Sequence, residues 1–260
     1  MHASNKEFNN IKIHTQYSIC EGAIKIDDLA DYCKINKVKS LGLADSFNLC
    51  GALEFSEKLS KVGTHPIIGS QINFKTNNLI GKISLYATTE DGYKNLTKLS
   101  SLSYLDSKED EEPVCEIKDL IENNKDLILL TGNYRDFFGK LFQSNKLKNL
   151  KEIISTLKKS FNDRIYFEIQ RHNEIDEKIF ENFLLNYSNE INVPLIATQE
   201  VFYLDKDMSE AHDALKCIGE KNFIDDKNRF KYSNQHYLKK HDEITQLYSD
   251  IPEALENNFN

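Results

Sequence analysis

Along this chain, short apolar runs alternate with longer stretches in which apolar residues recur every three or four positions and charges occupy the opposite face. The short runs predict strands at "IKIHT" (11–15), "SLGLAD" (40–45), "PIIGSQINF" (66–74), "KISLYAT" (82–88), "DLILLTG" (126–132), "RIYFEIQ" (164–170) and "PLIAT" (194–198). The periodic stretches predict helices at 25–36, 51–62, 91–104, 147–160, 176–190 and 207–219. Strands that alternate with helices in this way predict βα units and a parallel sheet. A barrel of parallel strands ringed by helices satisfies the order, and its functional groups belong at the C-terminal ends of the strands.

Between these elements, "LDSKEDEEP" (105–113) is acidic, ends in proline and has no apolar period, which predicts an exposed loop. The stretch "KNRFKYSNQHYLKKHDE" (227–243) carries Lys227, Arg229, Lys231, Lys239 and Lys240 with Phe230, Tyr232 and Tyr237. It reads as a contact with a further domain in preference to nucleic acid. In the tail, Asp250 is placed to cap a helix with Pro252 inside its first turn. That pattern stops mid-course, so the expectation is a single domain over 1–260 cut from a longer chain, with 245–260 leading into the next domain.

Composition narrows the field. With 260 residues and 40% hydrophobic content, the chain can fill one sizeable core. No apolar stretch is long enough to span a membrane and the start lacks a signal-peptide pattern, so the expected location is cytoplasmic. Five widely spaced cysteines without a C-x-x-C pair predict buried thiols. A formal charge of −8 makes the segment a poor nucleic-acid binder by itself.

The predicted strand ends supply His14 and Glu21, Asp45 and Ser46, Gln71, Lys82, Asn133, Glu168 with Gln170 and His172, and Gln199 with Glu200. Converging histidines and carboxylates would suit a metal cage for phosphoester hydrolysis. Amides and a hydroxyl are weak ligands, however, and lysines set ammonium charges beside any divalent ion. A lone His14 equally reads as a hydrogen-bonded rim histidine, Glu168 and His172 as a local pair, His212 as a packed helix residue and His65 as a loop residue. There is no glycine-rich phosphate loop and no G-x-S-x-G elbow.

Seven blocks in order, "HTQYSICEGAIKIDDL", "LGLADSFNLCGALEF", "PIIGSQINF", "ISLYATTEDGYKNLTKLSS", "YFEIQRH", "VPLIATQEVFYLDKDMSEAHDALKCIG" and "IPEAL", resemble the polymerase-and-histidinol-phosphatase (PHP) domain. More narrowly, they resemble the version at the N-terminus of bacterial DNA polymerase III alpha subunits. The resemblance implies a distorted, TIM-like (β/α)7 barrel, followed in the family by the rest of a replicative polymerase.

The ligand positions of metal-binding family members fall here on Lys12, His14, Glu21, Ser46, Gln71, Lys82, Asn133, Glu200 and Phe202. Only His14, Glu21 and Glu200 remain ordinary ligands. The resemblance thus implies a vestigial pocket with no catalytic residue and no metal; any residual ion would fall to those three residues. We expect Lys12 and Lys82 to replace the ions and to neutralise Glu21, Glu200 and Asp45, with Asp45, Glu168 and His172 fixing loop ends.

On this reading the fragment needs no cofactor of its own, and Mg belongs to a polymerase site outside it. Its partners are the remaining polymerase domains, a proofreading exonuclease subunit, and DNA through the rest of the polymerase; a membrane is not among them. The leading expectation is a catalytically inactive scaffold. The alternatives are a metal-dependent phosphoesterase or 3'-5' exonuclease with an altered ligand set, and a free-standing binding module.

Overall fold

The computed structural model describes residues 7–76, 79–105, 107 and 112–259. Most of the predicted acidic loop, residues 106 and 108–111, lies outside the described residues. The strands are β1 (Lys12–Ile13), β2 (Ser40–Leu43), β3 (His65–Thr76), β4 (Leu79–Ala87), β5 (Cys115–Glu116), β6 (Leu127–Leu130), β7 (Ile165–Ile169), β8 (Leu195–Ala197) and β9 (Glu200–Val201). The helices are α1 (Ile26–Asn36), α2 (Ala52–Lys61), α3 (Glu90–Leu105), α4 (Ile117–Glu122), α5 (Phe137–Gln143), α6 (Leu147–Phe161), α7 (Glu177–Ile191), α8 (Ser209–Glu220), α9 (His241–Leu247) and α10 (Pro252–Phe259).

The strands pair in the order β8-β7-β6-β4-β3-β2-β1-β9, with β5 attached to the far end of β3. The two ends of this ladder, β8 and β9, are joined through Thr198 and Gln199 alone. So short a link requires the sheet to curl back on itself, and the result is a distorted α/β barrel.

One expectation about direction fails. β4 runs antiparallel to both β3 and β6, so the sheet is mixed where an all-parallel barrel was predicted. The reason is connection length: β3 ends at Thr76 and β4 begins at Leu79, whereas a parallel crossover needs a dozen or more residues.

The strands alternate strictly. On β1, Ile13 packs with α1 and α2 in one apolar cluster, while Lys12 faces the other way. On β7, Phe167 and Ile169 join the large core under α6 and α7, while Glu168 between them faces inward. The same period of two separates Gln71 from Ile72 on β3 and Glu200 from Val201 on β9. Apolar side chains therefore pack outward against helices, each fully buried Leu, Ile or Phe contributing about 1.5–3 kcal/mol. The barrel interior holds the polar and charged groups beside a small apolar cluster of Ala44, Tyr86, Leu130 and Ile196.

The carboxyl-terminal elements close one side. Arg171, just past β7, holds Glu181 of α7 at 2.8 and 3.0 Å, both Asp250 oxygens at 2.6 and 2.9 Å, and the Leu247 carbonyl at 2.7 Å. Asp250 is thus a partner of Arg171 and not the predicted helix cap, since α10 begins two residues later at Pro252. α10 packs back on β8, and Asn258 ties it to Asn9 and to the Ala197 carbonyl. His65, predicted in a loop, is the first residue of β3, paired opposite Ser40. No cysteine among the described residues forms a disulfide; Cys33, Cys115 and Cys217 are buried, whereas Cys50 is exposed in the turn before α2, against the expectation of buried thiols.

Candidate functional site

Lys12 stands at the centre of the polar interior and is completely buried. Its Nζ lies 3.3 Å from Glu168 Oε2, 3.5 Å from Asp136 Oδ2 and 3.8 Å from Glu200 Oε1. Burial alone would depress the lysine, but the carboxylates of Glu168, Glu200 and Asp136 outweigh it and raise it above its usual value, so it is a fixed cation. Glu168 is saturated: Oε2 also accepts from the Gly132 amide at 2.9 Å, and Oε1 accepts from Gln170 at 2.7 Å and from the Thr198 hydroxyl. Gly132 has φ of +77°, and a Cβ there would lie 2.3 Å from Asp136 Oδ2, so only glycine serves.

Glu200 is the junction between this cluster and His14. Its Oε1 accepts from Gln71 Nε2 at 2.8 Å and faces His14 Nε2 at 3.1 Å; Oε2 accepts from Asn133 Nδ2 at 3.0 Å. Burial opposes its ionisation, but Lys12 and His14 hold its carboxyl well below the usual range. Ser18 has one hydroxyl hydrogen, and its 2.6 Å separation from Asp45 Oδ1 requires that hydrogen to lie between them. His14 Nδ1 faces Ser18 Oγ at 3.3 Å, and its Nε2 faces Glu200 Oε1 at 3.1 Å.

Lys82 and Glu21 form a separate pair nearer the surface. Lys82 Nζ is 2.7 Å from both Glu21 oxygens and 3.0 Å from Ser46 Oγ, and Ser46 Oγ donates to Glu21 Oε2 at 2.5 Å. Burial pushes Glu21 up, yet the Lys82 charge prevails and brings its carboxyl down to about 2. Asp45 departs from the expected scheme. Among the described residues no lysine meets it; the Thr15 amide and hydroxyl and the Ser18 hydroxyl donate to it at 2.6, 2.7 and 2.6 Å. Three short donors satisfy this carboxylate where an ammonium partner was predicted.

Behind Glu200, His172 and His236 stack with ring centroids 4.0 Å apart and planes 1° from parallel. Together they grip the Glu200 backbone: its amide donates to His172 Nε2 at 3.2 Å and its carbonyl accepts from His236 Nδ1 at 3.1 Å. His172 Nδ1 therefore carries the ring hydrogen and faces Glu177 at 3.3 Å; burial, with His236 next in effect, pushes this histidine far down, so it is neutral. Phe202 packs at a tilt against His14 at 4.7 Å and stacks on His212 at 5.2 Å. His212 donates to the Glu21 carbonyl at 2.8 Å, and burial lowers it to about 4.

Two basic residues of the stretch 227–243, Arg229 and Lys239, are taken up inside the molecule. Arg229 grips Asp213 of α8 with two 2.6 Å bonds, Lys231 reaches the same carboxylate at 3.2 Å, and Lys239 is buried, its ammonium lowered to about 8 by burial. The Arg135 guanidinium carbon sits over the Phe230 ring, 3.1 Å from its centroid. This stretch is a strap across β9 and the pocket, with Lys227, Lys231 and Lys240 left exposed.

Above the network lies an open cleft of about 530 Å³, whose walls include Glu21, Lys82, Asn133, Asp136, Glu200, Phe202 and Tyr232. The donor set does not fit the metal cluster implied by the resemblance. Lys12 and Lys82 bring ammonium nitrogens, Phe202 brings no donor, and among the described residues no three His, Cys, Asp or Glu side chains are arranged to hold an ion. The twelve predicted pocket residues do converge, in two ion-pair clusters and a histidine clamp. Asp136, Arg135, His236 and the Gly132 turn were missed; all but His236 sit in one loop without apolar period, and the Asp at 136 ahead of the apolar "FFGKLF" was the only available signal. Among the described residues, no helix is long and apolar enough to cross a membrane.

Comparison with known proteins places this geometry. Residues 10–172 match the PHP domain. The chain is 34% identical over 268 residues to the DNA polymerase III subunit alpha of Caulobacter vibrioides, with 98% of this chain and 23% of that protein covered. It is 34% identical over 262 residues to the corresponding subunit of Borreliella burgdorferi, covering 96% and 23%. The chain thus spans less than a quarter of these relatives' length and matches their N-terminal region. Among solved structures, an amidohydrolase from Chromobacterium violaceum superposes with a TM-score of 0.49 at 8% identity, covering 75% of this chain and 87% of that one. With more than half of its length matched in order, the chain belongs to the PHP domain family.

Proposed function

We propose that this chain is a catalytically silent PHP scaffold at the N-terminus of a cytoplasmic replicative DNA polymerase, stabilising the polymerase and docking its proofreading exonuclease subunit. The observation that carries the reading is the placement of Lys12 and Lys82. Each ammonium lies among carboxylates, at 3.3 Å from Glu168 and 2.7 Å from Glu21, at positions where the family resemblance puts metal ligands. A buried carboxylate cluster without a counter-charge costs several kcal/mol. Side-chain cations remove that cost and, at the same time, any means of activating a water for hydrolysis. Identity to polymerase alpha subunits across nearly the whole chain supports the scaffold role.

The test is elemental analysis of protein purified without chelator, paired with a phosphodiesterase assay in Mn. Less than a tenth of an ion per chain and no Mn-dependent hydrolysis are expected. Two or more bound Mn or Zn ions, or hydrolysis that disappears in His14→Ala, would overturn the proposal.

A further inference from the structure

Arg135 lines the 530 Å³ cleft from the loop between β6 and α5. Its guanidinium carbon sits 3.1 Å from the Phe230 centroid, and Phe230 packs edge-on against Tyr232 at 4.7 Å, so the group is held in place by stacked aromatic support. Among the described residues no carboxylate comes within ion-pair reach of this guanidinium, and its N–H groups meet no acceptor. Burial lowers it from its ordinary value, with Glu174 the strongest opposing charge. Glu174 is engaged elsewhere, accepting from the Ser233 amide at 2.7 Å and facing His236 at 3.4 Å.

A second cation in the same lining is also without an acid. Lys140 is exposed and gives one hydrogen to the Ile80 carbonyl at 2.9 Å, with no carboxylate partner among the described residues. The acids of the lining have partners already: Glu21 holds Lys82 at 2.7 Å, Glu220 holds Lys216 at 3.2 Å, Asp136 and Glu200 face Lys12 at 3.5 and 3.8 Å, and Glu112 accepts from Asn73 at 3.1 Å. A guanidinium stacked on one face keeps its in-plane N–H edge for a planar oxyanion, which it can bind through two parallel hydrogen bonds. A phosphate dianion would bring two charges close to Glu21, Asp136 and Glu200; a carboxylate brings one and matches the fork.

We propose that this cleft binds a carboxylate, held by the Arg135 guanidinium with the Lys140 charge in the same lining. The site goes beyond the scaffold reading and holds whether or not a polymerase follows. A bound divalent metal, which would sink the scaffold reading, is detected separately by elemental analysis, and the binding experiment uses chain dialysed free of metal.

The experiment titrates the 260-residue chain with n-butanoate and follows the Arg135 side-chain Nε resonance by NMR. A saturable one-to-one shift of that resonance is expected, with binding weakened at least tenfold in Arg135→Gln. Saturation that leaves Arg135 unmoved, equal binding by Arg135→Gln, or tighter binding of inorganic phosphate overturns the proposal. Should the variant fail to fold, the Arg135 resonance of the unmodified chain decides alone: a saturable shift supports the site, and none overturns it. An acetylated alanine tripeptide with a free carboxyl end, binding more tightly than butanoate, would assign the carboxylate to a protein terminus, and the reverse order to a free organic acid. Equal binding of the same tripeptide with its end amidated would show that no carboxylate is recognised and overturn the proposal.

Discussion

Lys12 and Glu168 meet in the interior of the barrel, Nζ to Oε2 at 3.3 Å, with neither side chain exposed to solvent. Because Asp136 and Glu200 share the same ammonium, its removal strands three acids at once. Lys12→Met is expected to lower stability by about 3–5 kcal/mol, the range for breaking a buried pair. Adding Glu168→Gln should cost less than it does in the unmodified chain, because one stranded charge disappears. Urea unfolding of the two single variants and the double variant measures this, and strict additivity would show the pair to be uncoupled.

Glu21 gives an acid limb to stability. Its carboxyl is lowered from 4.5 to about 2 in the folded chain, so its contribution is present above 4.5 and is lost as pH falls from there towards 2. Lys82→Met removes the charge that holds it down. The variant's unfolding free energy should then fall less steeply between those two pH values than that of the unmodified chain, as read by denaturant melts across the range.

Asp136 has the opposite sign. Its carboxyl is raised from 3.8 to about 6, so its favourable contribution is present below 3.8 and is lost as pH rises through 6. Asp136→Asn should flatten that part of the profile and gain stability relative to the unmodified chain at pH 7. A variant no more stable at pH 7 than the unmodified chain would mean that Lys12 fully compensates this acid.

Gly132 is the turn that lets Asp136 and Glu168 share one lysine. Gly132→Ala should cost about 1–3 kcal/mol, from a strained positive φ and from contact with the Asp136 carboxylate. Thermal melts give the cost, and an unchanged midpoint would show that the turn relaxes freely.

Arg171 joins β7, α7 and the α9–α10 segment. Arg171→Met should leave the barrel folded while raising hydrogen exchange and proteolysis selectively over residues 241–259. Uniform destabilisation would instead make this arginine part of the global core.

Much of this architecture was legible in the chain. The strands stood out because polar residues such as Lys12, His14 and Glu168 interrupt apolar runs at alternate positions, and that period survives in the inward-facing set. The reversal at β4 was also available, since the gap between "PIIGSQINF" and "KISLYAT" cannot house a helix. Pairing was not legible. Lys12 was matched with acids by their place in the family pattern, whereas its nearest partner, Glu168, is chosen by cross-barrel geometry that spacing does not encode. In the strap at 227–243 the pairing was hidden for a related reason: its arginine answers Asp213 on α8, and a run of charge does not reveal where its counter-charges fold.

The link between β1 and β9 has a consequence for synthesis. His14 and Glu200 are 186 residues apart in sequence, and a contact that distant forms only after a long loop has closed. A nascent chain leaving the ribosome therefore carries its first strand as an open edge, with Lys12 and His14 still hydrated. The barrel cannot seal before residue 201 has been translated, so its charged interior stays wet while the first eight strands emerge.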